Sequence, residues 1–143
     1  MFRSTIVTNY ITLSSEAEND IINITNDVER ILIESHLKNG IITLFIVGST
    51  AAITTIEYEP GLKKDFARLL ERIAPKGIEY EHDNTWHDGN GHAHVRASLI
   101  GPSLTIPFIN GLISLGTWQQ IVFVELDTRR RERKIVVQLI GND

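Results

Sequence analysis

The stretch HAHVRASLIGPSLTIPFINGLISLGTWQQIVFVELDTRRRERKIVVQLI, residues 92–140, decides the fold class of this chain. Its apolar and β-branched runs predict four strands, at 92–100, 104–109, 120–126 and 133–140. The short polar link from Asp127 to Glu132 is typical of a hairpin between the last two. Upstream, further strands are predicted at 2–13, near 20–24, at 41–47 and at 51–57.

Two helical segments interrupt the strands of the first half. One is predicted to begin at a cap on Thr25 or Asn26 and to end at Asn39-Gly40. The other begins at Pro60, which suits a first helical turn, and carries apolar residues at helical spacing. With 143 residues and no linker or repeat, the chain is predicted to be a single α+β domain, 1–143, built on antiparallel sheet.

Composition excludes several classes of protein. The absence of cysteine removes disulfides, thiolate zinc sites and a cysteine nucleophile, and it agrees with a reducing compartment. The formal net charge of −4 argues against nucleic acid or an anionic membrane as a partner. No signal peptide or run of about 20 apolar residues is found, so we expect a cytoplasmic protein. The arginines clustered at positions 129–131 and 133 remain candidates for binding an anion.

Four of the five histidines lie between residues 82 and 94. If 92–99 is a strand, His92, His94 and Arg96 share one face. The opposite face would be core, with Ala93, Val95, Ala97 and Leu99. Two imidazoles suit a metal ion and a guanidinium suits phosphate, although a solvated surface face fits the spacing equally well. Because a catalytic zinc site uses about three protein ligands, His82 is the next candidate and His87, in a turn, the last.

Other polar residues stand at the ends of predicted elements. Glu57 ends a strand, whereas Asp65 lies about one turn into the helix that begins at Pro60, close to the first turn, where surface acids are usual. Gly48-Ser49-Thr50 follows a buried strand and is a weak candidate for an anion-binding turn. Trp118 is expected to be a packing anchor. Gln119 needs hydrogen-bond partners if buried, so it is either structural or a ligand contact.

Several long segments are characteristic of one family. They are IINITNDV, STAAITTIEYEPGLKKDF, HDNTWHDGNGHAHVRASLIGPSLTIPFINGLISLGTWQQIVFVELD and RRRERKIVVQLIG. The patterns N-x-x-A-H-x-(R/K)-A-S-x-x-G-x-S and G-x-(I/L)-x-L-G-T-W-Q-x-I are specific, and over nearly its whole length the chain resembles the YjbQ family. The resemblance implies a compact α+β fold with β-sandwich-like sheets and two main helices. It also implies a homotrimer with its site near a subunit boundary.

The resemblance carries site residues over by position: Glu57, Asp65, His82, Asn90, His94, Gln119, Arg131 and Arg133. One departure concerns a segment in which many family members have His-Thr-Thr-Ala and this chain has Ser49-Thr50-Ala51-Ala52. If that histidine is a metal ligand in the relatives, His92 or His87 is the candidate to replace it here.

The expected function is that of a small metal-dependent enzyme acting on a phosphorylated small molecule. The family resemblance implies a weak thiamine-phosphate synthase activity, a transferase reaction joining a pyrimidine pyrophosphate to a thiazole phosphate. We expect zinc or magnesium on His82, His92 and His94, catalysis by Glu57, Asp65, His94 and Gln119, and substrate or phosphate contacts from Asn90, Arg96, Arg131 and Arg133. Two alternatives stay open: a trimeric metal- or metabolite-binding protein without catalysis, and histidines that serve only trimer contacts.

Overall fold

Residues 3–143 are described by the computed structural model of the chain. The eight strands and four helices follow in the order β1 (Thr5–Ser14), β2 (Asp20–Asn23), α1 (Thr25–Ser35), β3 (Asn39–Ile46), β4 (Ala51–Glu57), α2 (Pro60–Ile73), α3 (Glu81–Trp86), α4 (Gly91–Ile100), β5 (Ser103–Ile109), β6 (Leu112–Ile113), β7 (Gln119–Glu125) and β8 (Glu132–Asn142). They form two antiparallel sheets, ordered β1-β8-β3-β5-β6 and β2-β7-β4. The mixed class with antiparallel sheets is confirmed.

Both sheets and α1 contribute to one main apolar cluster. On β3, Ile42, Leu44 and Ile46 point inward while the residues between them are less buried, as the pleat of a strand requires. From the other sheet, Ile121 and Phe123 of β7 enter the same cluster. Each such fully buried side chain contributes about 1.5–3 kcal/mol relative to exposure, so this cluster fixes the sheets on which the site is built.

Strand β7 is buried on both faces. Its alternate residues Val122 and Val124 pack in a second cluster with Ala93 and Ala97 of α4 and with Leu70 of α2. A strand covered on both sides needs an unbroken apolar run, and IVFV at 121–124 supplies one. This packing also holds α4 against the three-stranded sheet.

The predicted strand at 92–100 is wrong, because these residues form helix α4. Burial recurs at 92, 93, 96 and 97, which is the spacing of one helical face and not of a strand. Gly101, at φ 103°, ends the helix in a conformation that side chains rarely adopt. The predicted hairpin at 127–132 is also wrong, because β7 and β8 belong to different sheets and this segment crosses between them.

The other predicted elements lie close to their predicted positions, whereas α3 and β6 were not predicted. The first strand was predicted from residue 2, which lies outside the described residues, and β1 begins at Thr5. Helix α1 ends in a left-handed His36, so Asn39-Gly40 opens β3 instead of closing the helix. The N-cap of α1 is Ile24, not Thr25 or Asn26, and it makes no side-chain cap hydrogen bond. One residue earlier, the Asn23 side chain accepts from the Thr25 N–H at 3.0 Å. Among the described residues no helix is long and apolar enough to cross a membrane.

Candidate functional site

The connection between α3 and α4 brings two histidines together. The Asp83 carboxylate accepts from the N–H of Gly91 at 2.9 Å and so fixes the start of α4 on α3. A Cβ on Gly91 would lie 2.6 Å from the Cβ of Tyr80, so only glycine allows this close approach. As a result the rings of His82 and His94 lie with their centroids 4.3 Å apart.

Carboxylates surround this histidine pair. His82 Nδ1 lies 3.6 Å from an Asp83 oxygen and 3.5 Å from an Asp88 oxygen, yet it is buried and makes no hydrogen bond to any described residue. Burial, and then the neighbouring His82, hold the pKa of His94 below its ordinary 6.5, against an opposing effect of Asp88, Asp127 and Asp83. The His94 imidazole is therefore neutral at pH 7, with a lone pair available.

Asp127 is the centre of the adjoining polar network. Its side chain accepts from the Thr50 hydroxyl at 2.9 Å, from the Asn90 amide at 3.2 Å and from Arg131 Nε at 3.0 Å. Burial raises the pKa of Asp127, but these bonds and the Arg129 N–H outweigh it, and the net pKa lies below 3.8. The carboxylate is thus ionised, and beside it the Asn90 Oδ1 is buried with no hydrogen-bond partner among residues 3–143.

A cavity of about 250 Å³ opens on this network, lined by Asp88, Asn90, Asp127, Thr128, Arg129 and Arg131. Arg131 gives Nε and Nη2 to Asp127, and a guanidinium has five N–H donors, so the others are available to a ligand. His94 lines a further cavity of about 180 Å³ with Ser49 and Ser98. We call His82, His94, Asp88, Asn90, Asp127 and Arg131 the histidine–aspartate site.

His92 and Arg96 do not belong to this site. Both are 1% exposed and lie on the inner face of α4, one turn apart. His92 Nε2 is 3.5 Å from a Glu18 oxygen, while Arg96 donates to the Ala74 carbonyl at 2.9 Å and to Glu71 at 2.8 Å. The predicted grouping of His92, His94 and Arg96 fails because a helix turns about 100° per residue, which keeps His92 and Arg96 on one face and places His94 on another.

Arg133 is likewise turned away from the cavity. Its guanidinium is buried and donates to the Glu125 carboxylate at 2.9 and 2.5 Å and to the Thr50 hydroxyl at 2.9 Å. Since Thr50 in turn donates to Asp127, Arg133 supports the site from behind and does not face a ligand. Asp88 and Asp127 were missed as site residues, although an acid that closes an apolar strand, as in IVFVELD, is a usable signal.

Glu57, Asp65 and Gln119 lie elsewhere. Ala51, near His94, and Glu57 stand at opposite ends of β4, which at about 3.3 Å per residue separates them by roughly 20 Å. Gln119 is opposite Glu57 in the sheet register and binds Thr55 at 3.0 Å. Asp65 is exposed, 3.7 Å from Arg68. The predicted catalytic residues therefore fall into separate groups within one chain.

Two further expectations concern exposed side chains. Trp118 was expected to be a packing anchor, but it is 73% exposed and lines a cavity of about 460 Å³ with Glu57. His87 is an exposed residue in the left-handed position that ends α3. Neither His87 nor His92 belongs to the group of His82, Asp83 and Asp88 whose ligand atoms lie within 4.8 Å of one another. That either histidine replaces the one that relatives have at position 49 therefore stays a prediction.

Comparison with known proteins gives one consistent result. The family model described as UPF0047 protein YjbQ-like matches residues 9–142. A UPF0047 protein of Archaeoglobus fulgidus is 38% identical over 129 residues, covering 90% of this chain and 98% of that protein. One from Methanothermobacter thermautotrophicus is 39% identical, covering 95% and 93%. The crystal structure of a YbjQ-like protein of unknown function from Sulfolobus solfataricus superposes with a TM-score of 0.91 at 35% identity, covering 98% and 100%.

Proposed function

This chain belongs to the UPF0047 family of YjbQ-like proteins, and we propose that it is a small cytoplasmic enzyme that uses a divalent metal ion on a phosphorylated small molecule. One observation carries the proposal. The carboxylates of Asp88 and Asp127 line a cavity that also presents guanidinium N–H groups, and the unpartnered Nδ1 of His82 lies 3.5 Å from the Asp88 carboxylate. The neutral imidazole of His94 lies beside the His82 ring and lines a second cavity. Such convergence of perturbed ionisable groups on a cavity is typical of active sites.

The donor set fits a divalent ion. His82, Asp83 and Asp88 each offer a ligand atom within 4.8 Å of the others, and His94 stacks on His82. Buried atoms with lone pairs and no partner, His82 Nδ1 among them, are costly unless a cation or water meets them. Imidazole with carboxylate favours zinc or manganese over magnesium, which prefers oxygen ligands alone. When bound, the ion would supply positive charge to phosphate oxygens.

Charge balance explains why phosphate binding would need that ion. The cavity holds the carboxylates of Asp88 and Asp127 against the guanidinium groups of Arg129 and Arg131. A phosphate entering alone would meet two negative charges as well as two positive ones, with little net attraction. With a cation on the histidine side, Arg131 can donate its remaining N–H groups to phosphate oxygens, as guanidinium does bidentately.

The more specific proposal is a weak thiamine-phosphate synthase reaction. Joining a pyrimidine pyrophosphate to a thiazole phosphate expels pyrophosphate, whose charge Arg131 would stabilise. A neutral His94 is able to accept a proton near pH 7. The alternative is a binding protein without turnover, and it predicts the same ligands at the same residues.

We also propose a homotrimer, and the outer face of the five-stranded sheet supports self-association. Ile6, Ile140 and Ile41 are cross-strand neighbours there and are 64%, 40% and 41% exposed. Tyr10 and Phe45 flank Val136 four residues further along the strands and are 47% and 46% exposed. Exposed apolar residues that cluster on one face mark interaction surfaces. We propose in addition that the two sheets pack on each other in a β-sandwich-like arrangement.

The test combines metal binding with turnover. Chelator-treated protein is titrated calorimetrically with Zn²⁺, Mn²⁺ and Mg²⁺, and pyrophosphate release is measured with the pyrimidine pyrophosphate and thiazole phosphate pair. We expect saturable binding of one ion per chain and metal-dependent release. His94→Ala and His82→Ala should each lower metal affinity at least tenfold, whereas His87→Ala, the matched exposed control, should not.

The outcomes separate the candidates. Full metal binding and activity in His94→Ala would rule out the proposed site. Saturable metal and phosphate binding without turnover of this or any other phosphorylated substrate would favour the binding protein. Unchanged metal binding with disturbed assembly in His94→Ala would favour trimer contacts.

A further inference from the structure

A second cavity lies at the far end of β4, away from the histidine–aspartate site. It measures about 460 Å³ and is lined by Asn23, Glu57, Tyr58, Glu59, Pro60, Thr117, Trp118 and Gln120. No residue of the histidine–aspartate site lines it. Its chemistry is set by an exposed indole beside carboxylates, and we call it the Trp118 cavity.

The backbone turn that carries Trp118 is held in place, although the Trp118 side chain is exposed. The next residue, Gln119, closes a turn, with its N–H on the Gly116 carbonyl and its side-chain oxygen on the Gly116 N–H, both at 3.0 Å. The Gln119 amide also donates to Thr55 of β4 at 3.0 Å. Because this turn is already fixed, its backbone loses little conformational entropy when a ligand stacks on the indole. Gln119 therefore positions the backbone from which the indole projects.

The amides of the cavity are already occupied. Asn23 donates to the Gln120 side chain at 3.1 Å, and its oxygen accepts from Thr25. Gln120 donates to the Gln119 carbonyl at 3.2 Å. The side-chain amides of Asn23 and Gln120 therefore already have hydrogen-bond partners and can contribute little to hydrogen bonding with a ligand. Ligand recognition depends on the aromatic face and on charge.

The charge of the cavity is negative. Glu59 accepts from the N–H groups of Gly61 and Leu62, both at 2.7 Å, and these bonds hold its pKa below 4.5. The Glu57 carboxylate makes no hydrogen bond or ion pair to the described part of the chain and is exposed. Among residues 3–143 no arginine or lysine lines the cavity. The Lys63 ammonium lies 4.2 Å from the centre of the Tyr58 ring, which does line it, so the two carboxylates exceed the nearby positive charge by one. A tryptophan face beside a free carboxylate attracts cations and repels anions.

We infer that the Trp118 cavity binds a flat organic cation, an amidinium or a protonated or quaternised heteroaromatic ring, which stacks on Trp118 and places its charge against Glu57. Stacking uses the exposed indole, and the carboxylate gains the partner that it lacks. The binding needs neither a metal ion nor a phosphate. It therefore stands apart from the chemistry proposed for the histidine–aspartate site.

The experiment uses three probes of one shape and different charge: benzamidinium, benzamide and benzoate. The full chain carries Trp86→Phe, which leaves Trp118 as the remaining one of two tryptophans, and its indole N–H resonance is followed by NMR in buffer with chelator. We expect saturable binding of benzamidinium, at least roughly tenfold weaker binding of benzamide, and none of benzoate.

Two variants test the assigned contacts. Glu57→Gln should weaken benzamidinium roughly tenfold and leave benzamide unchanged, whereas Glu132→Gln, an exposed acid on the other sheet, should change neither. Trp118→Leu should abolish binding of both, measured calorimetrically. His94→Ala should bind benzamidinium normally, so that failure here and failure of the metal site are separate results.

Three results would overturn the inference. Equal affinity for the three probes would show that charge plays no part. Unchanged benzamidinium binding in Glu57→Gln would remove the carboxylate from the site. Shielding of Trp118 fluorescence from acrylamide, with no response to any probe, would show that another copy of the chain covers the indole.

Discussion

Replacing Arg133 by methionine separates a supporting role from phosphate binding. The guanidinium is 8% exposed and pairs with the fully buried Glu125. It also donates to the Thr50 hydroxyl, which donates to Asp127. Methionine keeps much of the side-chain length but removes the charge and every donor. The loss therefore falls on a network that joins both sheets to the candidate site.

The loss of stability in Arg133→Met depends on which partners the Glu125 carboxylate keeps. Ser15 and two backbone N–H groups still reach its carboxylate, but no cation does. Breaking a buried ion pair from one side costs about 3–5 kcal/mol, because the other charge stays buried. For a chain of this size that is a fall in Tm of roughly 10–20 °C, against a total stability of about 5–15 kcal/mol.

The assay is urea and thermal unfolding followed by circular dichroism at matched protein concentration. Arg130→Met is the control, because Arg130 lies in the same segment but its side chain is 77% exposed in an ion pair with Glu16; we expect a change within about 0.5 kcal/mol. Adding Glu125→Gln to Arg133→Met should recover about 2 kcal/mol or more, since no unpaired charge remains.

Two results would refute this reasoning. One is an Arg133→Met protein within about 1 kcal/mol of wild type, and the other is a double variant no more stable than the single. Undiminished stability together with lost phosphate affinity would restore the role that the sequence pattern first suggested for Arg133.

The remaining predictions concern the two ionisable groups at the centre of the site. Because burial and His82 lower the pKa of His94, its NMR titration should have a midpoint below 6.5 that rises in His82→Gln; a wild-type midpoint at or above 6.5 contradicts the geometry. As the pH falls, the His94 imidazole is then protonated in the unfolded chain before it is protonated in the folded chain. The free energy of unfolding should therefore fall as pH drops below about 6.5, and His94→Gln should show less of this fall in unfolding curves. Asp127→Asn should cost about 1–3 kcal/mol at pH 7, as measured by denaturation, because it removes an acceptor shared by three side chains. Since the pKa of Asp127 is lowered from 3.8, the difference in stability between wild type and Asp127→Asn should shrink as pH falls below 3.8. A difference in stability that stays constant with pH would contradict this.

The strands that could be predicted are those whose residue composition fits a strand and does not fit a helix. Residues 41–47 and 120–126 are long apolar runs with branched side chains, and both are strands. Helix α4 was not predicted because HAHVRASL fits alternation as well as helical spacing. The helix buries His92 and Arg96, which are polar, and exposes Val95 and Leu99. Hydrophobic periodicity therefore indicated the wrong period.

The site could be predicted only in part, for a related reason. His82, Asn90, His94 and Arg131 followed from family patterns, and the structure brings them together. Asp127 meets Thr50 and Asn90 across 77 and 37 residues of sequence, and no local spacing encodes such contacts. The burial of Arg96 and Arg133 depends on acids 25 and 8 residues away in the chain, so a basic cluster in the sequence did not distinguish a ligand contact from a structural ion pair.

Strands β4 and β7 run from the histidine–aspartate site to the Trp118 cavity. Ala51 opposes Glu125 at one end of the β4–β7 ladder, and Glu57 opposes Gln119 at the other. Because β7 is buried on both faces, this ladder is rigid, and the roughly 20 Å between its ends is a fixed distance. A small molecule of about 10 Å cannot contact His94 and Glu57 of the same chain. If one substrate uses both groups, they must come from different subunits, and mixing His94→Ala with Glu57→Gln chains should restore activity to some assemblies. If mixing restores nothing while each cavity binds its own probe, the two cavities serve separate ligands.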